Sequence, residues 1–380
     1  MLSRKSTNLF AFNNLIEKIS KNRHNKEYQK PSPTLKFNNT FVIEKSLMNP
    51  LLDYTYLIRI LKNYGLIQSY NTNDNHLFGI INNKFYDTNF FLLNNFQMVD
   101  SIANKFNLYF NLKSYYNDFF KKYYPDSFYL DIDMKWKDIK NNIYIARPIS
   151  GESGQDIEIV HDENTFENSK KILLNPKYSS TGVSLTEYVQ NPLLYDGKKM
   201  HLRCYFLITL INNTFNSYLL DVGCIYTAKL PYVNHDWKNK DIHDTHLKST
   251  GKPIYFPDDL YEHTNGKISN AKDYEKVYKN ICENLEYVSK ITSNNIYQFS
   301  TAKNTWEVYG IDVLVRDDLS CFIMEINDRF IGYQCADDKL FKKYFDWIDN
   351  TVIKPCLFPN LKITTNMSTT SIYTCEILNY

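Results

Sequence analysis

Two carboxylates and one amide near the C-terminus have the types and spacing to do chemistry. Asp312 lies in Trp306-Glu307-Val308-Tyr309-Gly310-Ile311-Asp312-Val313-Leu314-Val315, and Glu325 and Asn327 lie in Cys321-Phe322-Ile323-Met324-Glu325-Ile326-Asn327. Both runs are β-rich, and Arg316-Asp317-Asp318-Leu319-Ser320 between them has the composition of a turn. A hairpin folded about Asp318 and Leu319 sets Asp312 opposite Glu325, and alternation along the strand puts Glu325 and Asn327 on one face. Hard oxygen donors converging in this way suit Mg²⁺ holding nucleotide phosphates. A solvated hairpin with scattered charges is the competing reading. It ranks second, because Ile311, Val313, Leu314, Phe322, Ile323, Met324 and Ile326 give these strands a buried character.

Positive charge is placed upstream. Lys198 to Leu210 reads as a long strand in which Lys199, His201 and Arg203 alternate with Met200, Leu202 and Cys204. The three basic groups share one face of a strand that becomes continuously apolar, which points to an anionic ligand. Pairing of Arg203 with Asp312 or Glu325 inside the core is the alternative. Another strand, Asn142 to Pro148, ends in Arg147 and leads into a small-residue loop with Gly151 and Gly154, before the strand Ile157 to Val160. Such a cation can offset phosphate charge while loop amides donate, and a Gly-rich hairpin that binds nothing is the competing reading. His235, His243 and His246 are close in sequence, but without a nearby cysteine their spacing fits no compact zinc site.

The elements that must position these groups follow from periodicity. Helical spacing marks Pro50 to Tyr70, a long stretch from Gln97 to Tyr123 ended by Pro125, residues 268–292, and Leu340 to Phe358 with a break at Pro355. Strands are expected at Val183 to Val189 and at Phe215 to Tyr226, the latter antiparallel to the basic strand. The Thr-rich last twenty residues read as a tail or an edge strand. The expected division is an N-terminal extension (1–45), a small α/β domain (46–140), a central subdomain (141–200), a C-terminal subdomain with the metal site (201–360) and a tail (361–380).

The chain of 380 residues has 43% apolar residues and a net charge of +2, a globular composition with no general surface for nucleic acid. No apolar run reaches the ~20 residues of a membrane helix. Seven scattered cysteines, never at Cys-x-x-Cys spacing, read as reduced core thiols of a cytoplasmic protein.

Taken in order, these segments resemble the tubulin–tyrosine ligase-like family, a branch of the ATP-grasp ligases, over about residues 90–350. Tyr144-Ile145-Ala146-Arg147-Pro148 with Gly151 to Gly154 is similar to the family's W-I-x-K-P strand and loop. Thr186 to Leu194 is similar to its Q-K-Y-I-x-x-P-L-L linker, Lys198 to Arg203 to its R-K-F-D-L-R strand, and Ala228 to Tyr232 to its A-x-x-P-Y segment. His246 to Ser249 is similar to H-L-T-N, Glu307 to Asp312 to E-x-x-G-x-D, and Glu325 to Asn327 to E-V-N.

The resemblance implies an α+β ATP-grasp fold with a small N-terminal α/β domain and two mixed or antiparallel subdomains enclosing ATP. It implies Mg²⁺ on Asp312, Glu325 and Asn327, nucleotide contacts from Arg147, Gly151, Gly154, Glu187, Tyr188, Val189, Lys199 and Arg203, and catalytic charge from Lys199 and Arg203. His201, His246 and Ser249 would lie toward the substrate. The implied activity joins a free amino acid to a protein or peptide, tubulin being one candidate acceptor, through an acyl phosphate. An inactive nucleotide- or peptide-binding ATP-grasp protein and a small-molecule kinase of the same fold are the alternatives. The inactive reading is motivated by departures from the family pattern, His201 for aspartate, Ser249 for asparagine, and Asp328-Arg329-Phe330 for small residues and proline, whereas Arg147 for lysine keeps the charge and is compatible with ATP binding.

Overall fold

The spine is a long antiparallel hairpin, β10 (Lys198–Ile211) and β11 (Thr214–Thr227), fourteen residues per strand. It turns at Asn212 and Asn213, both at positive φ (49° and 64°), the turn geometry that matches strand twist. On its other side β10 pairs antiparallel with β13 (Asn304–Val315), and β13 pairs with β14 (Cys321–Asn327). The sheet then continues in parallel fashion through β4 (Phe90–Asn94), β3 (His76–Ile80), β1 (Asn38–Ile43) and β2 (Ile67–Gln68). With β12 (Lys252–Tyr255) and β15 (Thr369–Glu376) on β11, and β9 (Leu194–Tyr195) on β10, it has eleven strands. A second sheet, ordered β5 (Ser127–Tyr129), β8 (Val183–Glu187), β6 (Tyr144–Pro148), β7 (Glu158–Val160), is antiparallel throughout.

This computed structural model describes residues 37–43, 54–71, 73–80, 90–94, 102–103, 105–149, 156–178, 181–245, 252–255, 258–295, 304–327, 338–359 and 369–376. Contacts divide the chain into Met1–Lys36 and Phe37–Tyr380, and every described residue belongs to the second unit. The expected N-terminal extension therefore lies almost wholly outside the described residues.

β10 reads as a continuous apolar run because both its faces are buried. Leu202, Cys204, Phe206 and Ile208 face one core, which they share with Val277, Ile281, Leu285, Val288 and Ile291 of the long helix Ala271–Asn295. Those five sit at helical spacing and are at most 2% exposed. Tyr205 and Leu207 face a second core with Trp306, Val308, Tyr344, Trp347 and Ile348. The four-stranded sheet has its own core: Ala146, Val160, Val183 and Leu185 against Phe166 of the helix Glu163–Leu174. Asp162 caps that helix, its carboxylate accepting from the Thr165 amide at 2.8 Å.

Several local expectations are corrected. The helix expected over 97–123 is two helices, Lys105–Tyr115 and Asn117–Tyr123, with Gln97 to Ser101 outside the described residues. Tyr116 leaves helical geometry (φ −139°, ψ 54°) and packs its ring edge-on against Tyr287 at 4.8 Å. The closing helix carries a π turn at Asp349–Ile353 and runs on through Pro355 to Leu357 rather than breaking at the proline. Residues 369–376 are an edge strand. Cys204, Cys282, Cys321 and Cys356 are free, but Cys224 is disulfide-bonded, a pairing that depends on Cα geometry and not on spacing. Among the described residues no helix is long and apolar enough to cross a membrane.

Gly79 of β3 shows how tightly this sheet is packed. A Cβ there would lie 2.3 Å from a ring carbon of Phe90, itself 1% exposed. Gly79→Ala is expected to cost about 1–3 kcal/mol, read as a lower denaturant midpoint at unchanged m-value. An unchanged midpoint would mean that the ring swings aside freely.

Candidate functional site

The hairpin β13–β14 closes in register. Asp312 stands opposite Glu325 and Gly310 opposite Asn327, with the register shifting between Asp312 and Val313. Val313 pairs with Ile323, so Met324 is the extra residue of a bulge beside Glu325. On the other flank of β13, Asp312 stands opposite Arg203. The guanidinium donates to both carboxylate oxygens of Asp312, from Nε to Oδ1 and from Nη2 to Oδ2 at 3.0 Å. Both residues are buried, with Asp312 1% exposed and Arg203 6%. Burial opposes the Arg203 charge, but the Asp312 carboxylate outweighs it and holds the guanidinium protonated above its ordinary range.

Asn327 Nδ2 donates to Asp312 Oδ2 at 3.4 Å, so the amide nitrogen faces the carboxylate and the amide oxygen is turned away from it. Glu325 is half-buried at the bulge. Among the described residues no three His, Cys, Asp or Glu side chains form a metal cluster. The set here is two carboxylates and an amide oxygen, a donor chemistry that fits a hard divalent cation. Carboxylate oxygens keep a second lone pair while accepting one hydrogen bond, so the Arg203 pair does not exclude a metal on Asp312.

His201 is fully buried. Its Nδ1 lies 2.6 Å from Thr245 Oγ1, its Nε2 lies 3.5 Å from Asp312 Oδ1, and its ring stacks on Tyr226 at 5.0 Å. His246, Ser249 and Asp328, and the glycines Gly151 and Gly154, lie outside the described residues.

A cavity of about 230 Å³ opens between the two sheets. Ile145 and Arg147 of β6, Lys199 of β10, Leu314 of β13 and Met324 of β14 line it, together with Tyr188, Trp237, His243 and Thr245. A smaller cavity of about 40 Å³ shares Ile145, Arg147, Lys199, Leu314 and Met324, and adds Thr186, Glu187 and Val189. Tyr188 lines the larger cavity, while Glu187 and Val189 line the smaller. Arg147 Nη2 donates to Thr186 Oγ1 at 3.5 Å, and its buried Nε has no hydrogen-bond partner among the described residues.

Lys199 is 7% exposed. Burial lowers its ammonium to a pKa of about 8; Asp244 opposes the shift and Arg147 adds to it. Nζ donates to Tyr188 Oη at 3.2 Å, and Tyr188 Oη lies 2.8 Å from His243 Nδ1. Burial also lowers the His243 imidazole.

The structure thus brings together Arg147, Glu187, Tyr188, Val189 and Lys199 around connected space, and Arg203, His201, Asp312, Glu325 and Asn327 around one carboxylate. Trp237, His243 and Thr245 were not foreseen in the cavity. Their segment has no periodicity to place it, and His243 drew notice only as one of three neighbouring histidines.

Against known proteins, the model of the tubulin-tyrosine ligase family matches residues 83–330. A probable tubulin–tyrosine ligase of Schizosaccharomyces pombe is 26% identical over 144 residues, covering 37% of this chain and 34% of that protein. The chain thus matches about a third of the length of that curated relative. Among solved structures, the C-terminal domain of K. lactis Pby1 superimposes with a TM-score of 0.59 and 19% identity, over 88% of this chain and 98% of that one. Pby1 is described as an ATP-grasp enzyme interacting with the mRNA decapping enzyme Dcp2, and the likeness identifies the fold as ATP-grasp. The α+β architecture, the ordered motifs and a match across well over half of its length together place this chain in the tubulin-tyrosine ligase family.

Proposed function

We propose that the protein is an ATP- and Mg²⁺-dependent carboxylate–amine ligase, adding an amino acid to a protein or peptide through an acyl phosphate. The observation that carries this reading is a cavity walled by two sheets, bordered by Arg147 and Lys199, with the Asp312–Glu325–Asn327 set on the strand pair that supplies its Leu314 and Met324 lining. In this reading Ile145 and Met324 pack against the base, with Glu187, Tyr188 and Val189 along its edge. Arg147 and Lys199 neutralise phosphate oxygens. Arg203 holds Asp312 in orientation through both carboxylate oxygens, and brings positive charge to the end where a phosphoryl group transfers. Glu325, Asp312 and Asn327 would hold Mg²⁺, whose chemistry there would be to draw charge from phosphate oxygens. The roles that the resemblance implies for Gly151, Gly154, His246 and Ser249 fall outside the described residues, and His201, fully buried beside Asp312, would lie toward the acceptor. Tubulin is the acceptor suggested by the fission-yeast relative's name.

Nucleotide binding without turnover is the second reading, favoured by the engagement of both Asp312 oxygens by Arg203 and the approach of His201 to the same carboxylate. Calorimetry of Mg·ATP binding to wild type and to the Asp312→Asn, Glu325→Gln double variant tests the site. Binding lost in the double variant supports it, and equal binding by both removes the metal assignment.

Lys199 makes the affinity depend on pH. Its ammonium is charged below about 8 and neutral above, so Mg·ATP affinity should fall as pH rises from about 7 to about 9, while Lys199→Arg should flatten the profile. Stability moves the other way. Because the folded value is about 8 and the unfolded reference 10.5, the unfolded chain binds more protons between them, and this group stabilises the fold as pH rises through that window.

A further inference from the structure

The larger cavity contains a hydrogen-bond relay whose direction is set by its far end. His243 Nε2 lies 2.8 Å from the backbone carbonyl oxygen of Asp236. A carbonyl can only accept, so Nε2 carries the proton, and in the neutral ring Nδ1 is left as an acceptor. Tyr188 Oη, 2.8 Å from Nδ1, therefore donates to it. The phenolic lone pairs are then available to Lys199 Nζ at 3.2 Å, which donates to them. Trp237 holds both rings in place, edge-on to Tyr188 at 5.1 Å and stacked on His243 at 5.4 Å.

We propose that Tyr188 and His243 are positioning residues that aim the Lys199 ammonium at the phosphates of the bound nucleotide. The proposal rests on the nucleotide reading above. A lysine stem has four rotatable bonds, and a buried ammonium without a fixed acceptor would turn to whatever oxygen lies nearest. A phenol fixes it without cancelling its charge, as a directly paired carboxylate would. The full positive charge then remains for an anion. Arg147 from β6 adds repulsion that keeps the ammonium on its side of the cavity, and Asp244 acts on it from beyond the short helix Lys240–His243.

The test compares wild type, Tyr188→Phe, His243→Phe and His243→Asn by calorimetry with Mg·ATP and with adenosine, each variant first checked by thermal unfolding. Tyr188→Phe and His243→Phe should weaken Mg·ATP about tenfold, the loss of one hydrogen bond to a charged group, and weaken adenosine far less, since Tyr188→Phe keeps the ring that borders the base. His243→Asn, whose amide oxygen replaces the Nδ1 acceptor, should recover most of the affinity. Parallel losses of ATP and adenosine would mean that the rings only shape the pocket, and would overturn the proposal. Unchanged ATP affinity in Tyr188→Phe, which can be read even if His243→Phe does not fold, would overturn it too. Folded wild type that binds no ATP would instead overturn the nucleotide reading, and this proposal with it.

Discussion

Glu325→Gln should fold as wild type does and lose Mg²⁺-dependent turnover by about 10²–10³-fold or more, the scale seen when one electrostatic contact to a reacting centre is removed. The substitution is nearly isosteric and the side chain is only half-buried, so packing around the Met324 bulge is undisturbed. What changes is the charge and donor strength offered to a divalent cation beside Asp312. Single-turnover assays with a panel of amino acids and peptide tails would read the effect, with circular dichroism to confirm the fold. Full activity in this variant would sink the metal assignment. Asp312→Asn is a less clean probe, because it also removes the partner of a buried arginine.

That partner relation gives the second large effect. Arg203→Met should destabilise the fold by about 3–5 kcal/mol, because Asp312, 1% exposed, loses the cation bonded to both of its carboxylate oxygens. Adding Asp312→Leu should recover much of the loss, since replacing both members of a buried pair with apolar residues is often neutral. Denaturant midpoints of the two singles and the double complete the cycle. If Arg203→Met alone unfolds at the wild-type midpoint, the pair contributes nothing, and its burial needs another explanation.

The parts of this site that were legible in the sequence are those governed by alternation within one strand pair. Asp312 opposite Glu325, and Lys199, His201 and Arg203 on one face of β10, follow from a period of two and a short turn. The sequence allows Arg203 either Asp312 or Glu325, and the structure chooses Asp312 because the β10–β13 register sets them side by side. What could not be read depends on contacts across long separations. Tyr188 meets His243 from 55 residues away, through a segment with no regular pattern. The parallel pairing of β4 with β13 joins Leu92 to Asn304, and no local signal announces it. The break at Tyr116 has no proline or glycine to mark it, and reflects a ring finding Tyr287.

The separate core of the four-stranded sheet has a consequence for how the molecule opens. Its Phe166, Val160 and Leu185 do not mix with the residues around β10. Elements sharing one core come apart together, while a unit with its own small core can detach at lower free energy. Amide protons on β6 and β8 can thus exchange with solvent through a partial opening that leaves β10 and β13 protected. Arg147 travels with the sheet that opens, whereas Lys199 and Asp312 stay with the sheet that does not. The two halves of the site belong to different cooperative units, and a ligand spanning them would be the tie that makes them unfold as one.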